Sequence, residues 1–185
     1  MVMRYSYEDL DQPRYRLGQV AKAAGISTET LRNWINPARG VIKMGEHDRD
    51  AEGRGRHRLF TLRRALQVAI TARLVAARHQ PAEAAFLALG FTDVGDGTGG
   101  FGGGPAPLPE RLPGMLYPEG WTLLLAYPGH EMSIIRNIDM ETGAWWLFHH
   151  VGFHIDTVTA VHLNKVVDRV LSALALTDAG GEDDE

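Results

Sequence analysis

Thr28, Glu29 and Thr30 follow Ser27 at the start of a short helical segment, and this group has the chemistry to read nucleic-acid bases. A threonine offers a hydroxyl or a methyl to a base edge, and a glutamate accepts a hydrogen bond from cytosine. Downstream, Lys43, Arg54, Arg56, His57 and Arg58 are interleaved with Gly40, Gly45, Gly53 and Gly55. Cations on such a turn-rich ribbon contact phosphates or enter the minor groove. The alternative is a solvated charged loop. The inserted acids Glu46, Asp48, Asp50 and Glu52 are expected to stay in solvent or to tune binding by repulsion. Arg63 and Arg64 open the next helix, where a cation opposes the helix dipole at roughly a few tenths of a kcal/mol. A nearby phosphate would offset that cost; plain surface charge is the other reading.

Positioning these groups requires two helices and a wing. The first helix runs from about Leu17 to Ala24, with Val20, Ala23 and Ala24 on the face of Leu17. Gly25 suits the left-handed residue that closes many helices. Ser27 or Thr28 caps the second helix, which turns Leu31 and Trp34 or Ile35 to the core and stops before Pro37. Two helices joined this tightly place the second in a DNA major groove. Val41 to Met44 and Arg56 to Phe60 are expected as the two strands of the wing. Thr61 caps a third helix to about His79 with the stripe Leu62, Leu66, Ile70 and Leu74. Pro81 opens a fourth, which ends at Gly90.

The fold class expected is α+β: an N-terminal winged helix-turn-helix, a Gly/Pro linker, and a small C-terminal strand-rich domain ending in a helix. Residues 1–14 are expected as a flexible arm, 15–94 as the winged-helix domain and 95–109 as the linker. Residues 110–176 are expected as an oligomerisation or sensing domain, and 177–185 as an acidic tail. In the second domain, Trp121 to Tyr127 and Met132 to Ile138 flank Pro128-Gly129-His130, a hairpin pattern. Ala144 to Val151 is expected as a third strand. A fifth helix is expected from about Thr159 to Leu176, with the stripe Leu163, Val166, Val167, Val170, Leu171 and Leu174.

Charge divides along the chain. Residues 1–90 hold 15 Lys and Arg against 9 Asp and Glu, whereas residues 91–185 hold 4 against 14. The basic half coincides with the two-helix segment, as nucleic-acid binding requires. Cysteine is absent, which excludes disulfides and thiolate metal sites. No apolar run approaches the roughly 20 residues that span a bilayer. The opening residues lack a signal-peptide pattern, so a cytoplasmic, nucleoid-associated protein is expected.

Residues 15 to about 90 resemble the DNA-binding domain of the MerR family. The resemblance lies in Tyr15-Arg16-Leu17-Gly18-Gln19-Val20-Ala21, Ala24-Gly25-Ile26-Ser27, Thr30-Leu31-Arg32-Asn33-Trp34 and the return Arg58-Leu59-Phe60-Thr61. It implies that Arg32 bonds a phosphate and that Asn33 or Trp34 packs beside the DNA backbone. Three features depart from the family pattern. Ile35 stands where an acidic residue is usual, the wing is longer, and a Gly/Pro linker with a strand-rich domain replaces the long dimerisation helix. Similar winged helices serve phage excisionases and small terminase subunits.

The chemistry left over is thin. His149, His150 and His154 lie on an expected strand, whose alternation separates His149 from the other two, so no metal is expected. The glycines around Phe101 lack the Gly-Lys-Ser/Thr ending of a phosphate loop. No catalytic constellation is legible, and neither an enzyme nor a cofactor is expected. The adjacent Trp145 and Trp146 face opposite sides of a strand, which, with the fifth helix, points to a homodimer through residues 110–176. The expected function is a transcriptional regulator that binds double-stranded DNA. The alternatives are an architectural, excisionase or small-terminase-like DNA-binding protein, or an adaptor recruiting a protein partner to DNA. A small-molecule effector is left open.

Overall fold

Arg16 is extended, and its N–H donates to Gln19 Oε1 at 2.7 Å, which starts α1 (Leu17–Ala24). The computed structural model describes residues 5–49, 58–95, 111–138 and 157–178. Helix α1 buries Val20, Ala21, Ala23 and Ala24 and ends at Gly25, whose φ of 73° is the left-handed conformation expected there. The Ile26 N–H reaches back to the Ala21 carbonyl at 3.0 Å and closes the helix end. Ser27 Oγ then accepts the Thr30 N–H at 3.0 Å and caps α2 (Thr28–Trp34).

The backbone after α2 is not a strand. Ile42 is buried and its N–H donates to the Trp34 carbonyl at 2.9 Å, which folds residues 41–44 back on the helix end. Arg49, beyond the expected outgoing strand, is the residue that pairs with Leu59. Its backbone exchanges two 2.9 Å hydrogen bonds with Leu59. Leu59 also lies in β2 (Leu59–Phe60), which pairs antiparallel with β1 (Tyr15–Arg16), Tyr15 opposite Phe60 and Arg16 opposite Leu59. Residues 50–57, with Arg54, Arg56 and His57, lie outside the described residues.

Helix α3 (Leu62–Ala76), capped by Thr61, is the centre of the fold. Its stripe Leu62, Leu66, Ile70 and Leu74 is fully buried, and so are Ala65, Val68 and Ala69 on its other sides. The reason is that α1, α4 (Pro81–Thr92) and α5 (Leu163–Asp178) all pack on it. A helix surrounded this way is covered on more than the single stripe that periodicity marks.

The second half is a three-stranded antiparallel sheet in the order β4-β3-β5, followed by α5. Strands β3 (Trp121–Ala126) and β4 (Ile134–Ile138) form the expected hairpin, with Trp121 opposite Ile138 and Leu125 opposite Ile134. The expected helix from Thr159 begins later. Thr159–His162 is β5, paired with β3, and α5 starts at Leu163. Val161 is the reason: it faces inward opposite Leu124 and joins the core. The expected third strand at 144–151, the histidines 149, 150 and 154, and most of the linker and tail lie outside the described residues.

Two boundaries move. Residues 5–14 are not a loose arm. Glu8–Asp11 form a 3-10 helix, Leu10 is fully buried, and the Tyr5 hydroxyl donates to the Gly114 carbonyl. The two halves also share one core. Leu124, Ala126, Ile135 and Val161 of the sheet join Leu163, Val166, Val167, Val170 and Leu174 of α5 in the same buried cluster as α1 and α3. The α5 stripe that points to a dimer is therefore covered by the chain's own helices. Among the described residues the architecture is mixed α+β, with five α-helices and two small antiparallel sheets.

Candidate nucleic-acid interface

Helix α2 divides cleanly between two environments. Leu31 and Trp34, three residues apart, are 0% and 8% exposed and face the core. Glu29 and Arg32 are exposed on the opposite side, with Ser27 beside them; Thr28, Thr30 and Asn33 are half-buried. Trp34 is thus a packing residue, and its place on the inner face of α2 leaves it little free surface. Thr30 is partly committed as well, because its hydroxyl lies 2.8 Å from Ser27 Oγ at the helix cap.

Arg32 and Arg58 come together in space. With Leu17, Ile35, Asn36 and Pro37 they line a shallow open groove between the end of α2 and the small sheet. Arg32 has no ion pair among the described residues. Lys43 is exposed on the loop after α2. Two arginines from distant parts of the chain on one open groove form a surface that suits an anionic polymer.

Arg63 and Arg64 serve neither as phosphate contacts nor as plain surface charge. Arg63 donates through Nε and Nη2 to the two Asp11 oxygens at 2.6 and 2.8 Å, and through Nη1 to the Pro113 carbonyl at 3.0 Å. These bonds hold the Asp11 carboxyl below the usual aspartate range, against the opposing effect of partial burial. Arg64 is buried, and its Nε lies 3.1 Å from Asp48 Oδ2. Neither side chain is available to a phosphate.

Asp48 also departs from expectation. Its side chain is 1% exposed, whereas its acidic neighbourhood predicts solvent. It accepts from the Gly45 N–H at 2.7 Å, the Thr61 N–H at 2.8 Å and the Thr61 hydroxyl at 3.1 Å as well as from Arg64. Arg64 continues to Gln67, and Gln67 Nε2 donates to the Ala85 carbonyl at 3.2 Å. The network ties the loop after α2 to α3 and α4. The sequence signal for it is the pair of cations at a helix start, which calls for a carboxylate somewhere in the fold. Glu46, by contrast, is exposed as expected, 3.2 Å from His47.

Arg111 is a further residue that sequence reasoning passes over. It is 2% exposed, and its guanidinium donates to the carbonyls of Phe91 at 3.1 Å and Val94 at 2.6 Å. A cation at the carbonyl end of α4 satisfies acceptors that the helix leaves open. No group of three metal-ligating side chains exists among the described residues. No helix among them is long and apolar enough to cross a membrane. Comparison with family models, curated proteins and solved structures finds no match to this chain.

Proposed function

We propose that the chain is a DNA-binding transcriptional regulator built on a MerR-like winged helix-turn-helix, with α2 in the major groove of double-stranded DNA. The observation that carries this reading is the groove shared by Arg32 and Arg58, beside a helix whose exposed face presents Glu29 and Arg32. Ser27, Thr28, Glu29, Thr30 and Asn33 meet bases or the adjoining backbone; Arg32, Lys43 and Arg58 hold phosphates. Arg54, Arg56 and His57 extend the grip along the wing. Arg63, Arg64 and Trp34 leave the set, because each is engaged inside the protein. No chemical step or cofactor is part of this reading.

A second reading has its own support. The apolar stripe of α5 packs inside the chain and offers no ready dimer face. A single module of this kind contacts only a short site, so it would load side by side as an architectural or excisionase-like protein, or rely on a protein partner. Selection of bound fragments from random DNA, then titration of the winner at several salt concentrations, separates the two. A single enriched motif bound far more tightly than competitor supports the regulator. Salt-dependent binding with no motif supports the architectural reading. Absence of DNA binding overturns both.

A further inference from the structure

Ion pairs occupy some of the described arginines and not others. Arg14, Arg63 and Arg64 are paired with Asp9, Asp11 and Asp48. Arg16 and Arg49 are exposed and have no ion pair among the described residues. They are 33 positions apart in sequence, yet both lie directly opposite Leu59, Arg16 through the β1–β2 pairing and Arg49 through its isolated bridge.

Directly opposed residues share a sheet face. Tyr15 and Phe60, the neighbouring pair, are buried at 9% and 0% and face the core. Arg16, Leu59 and Arg49 therefore form a row on the outer face. Their backbones are two strand spacings apart, about 10 Å. Two like charges at that distance gain nothing from one another, and no carboxylate among the described residues neutralises either. The row adjoins the groove through Arg16-Leu17 and Arg58-Leu59, whose second and first members line it.

We infer that Arg16 and Arg49 form a second phosphate-binding site, on the outer face of the small sheet, that takes the backbone of the same duplex alongside the Arg32–Arg58 groove. The inference rests on the DNA-binding reading above and adds a contact surface to it. Leu59 between the two arginines is the spacer that keeps them apart. The site reads no sequence, because only phosphates reach it.

The test is titration of the full chain with a duplex of random sequence over a range of salt concentrations, read by fluorescence anisotropy. Arg16→Ala combined with Arg49→Ala is expected to flatten the slope of log affinity against log salt by about 1.8, two contacts at about 0.9 each. Affinity at low salt falls for every duplex alike. The conservative pair Arg16→Lys with Arg49→Lys retains the slope, and an unchanged melting temperature shows that the fold is kept. An unchanged slope in the double alanine variant, with Arg32→Ala still losing about 0.9, overturns the second site and leaves the DNA-binding reading standing. A wild-type chain that binds no duplex overturns the DNA-binding reading, and this inference falls with it.

Discussion

Asp48 and Arg64 lie 3.1 Å apart, with side chains 1% and 8% exposed, and join the loop after α2 to the central helix. Around them the Gly45 and Thr61 amides, the Thr61 hydroxyl and Gln67 supply further hydrogen bonds. Such a pair holds one chain path in place, and its removal on one side leaves a charge without a partner. Asp48→Ala is expected to destabilise the protein by about 3–5 kcal/mol. Adding Arg64→Met should recover part of the loss, because the stranded guanidinium is gone. Urea unfolding of the two variants checks this; equal losses in both would mean that the pair is not coupled.

The Asp11–Arg63 pair predicts a dependence on acid. Asp11 titrates below its ordinary value because Arg63 bonds both of its oxygens. A carboxylate depressed in the folded state stabilises it above the unfolded value of about 3.9, and that contribution disappears as pH falls through the folded value. Asp11→Asn is expected to lower stability at neutral pH and to flatten the loss in acid. Thermal melts from neutral pH downward, compared with the wild type, read both effects. Parallel curves would contradict the assignment.

Gly90 reverses an ordinary helix rule. Alanine in place of glycine inside a helix is normally favourable by about 1 kcal/mol. A methyl at Gly90 in α4 would instead collide with Ser133 Oγ, which is itself held by the Leu87 carbonyl at 2.6 Å, and it would press on the Ser133 carbonyl at 3.3 Å. Gly90→Ala is expected to cost about 1–3 kcal/mol. Combined with Ser133→Gly it should cost less, because the hydroxyl obstacle is removed. A melting temperature raised by the single change would show that the hairpin moves aside freely.

On α2, Glu29 and Arg32 should differ in kind. Arg32→Ala is expected to weaken binding to all duplexes and to reduce the salt slope by about 0.9. Glu29→Ala should leave the salt slope unchanged or slightly steeper and alter which sequence is preferred, since a carboxylate accepts from cytosine. Repeating the fragment selection with each variant distinguishes the roles. The same motif from Glu29→Ala would remove Glu29 from base reading.

Local chemistry is legible in the residues themselves. Gly25 ends α1 in the left-handed region, Ser27 and Thr61 cap α2 and α3, and Pro81 opens α4. Pro128-Gly129-His130 turns between β3 and β4. These features depend on a residue and its nearest neighbours along the chain, so their cause is written in the amino-acid order. The strand at Thr159–His162 escapes such reading because it is only four residues long and runs directly into the apolar stripe of α5, and only pairing with β3 decides the conformation.

Residue order alone establishes that α5 has an apolar face, that α2 has a polar one and that arginines crowd the first half. Which of these groups are occupied is a matter of packing. Only the folded chain brings α1 and α3 over α5, turns Trp34 into the core, and sets Arg63 against an aspartate 52 positions away. Periodicity marks a surface to be buried without naming its cover. A buried charge finds its partner wherever the packed chain brings one, because the low dielectric of the interior makes an unpaired charge too costly to keep.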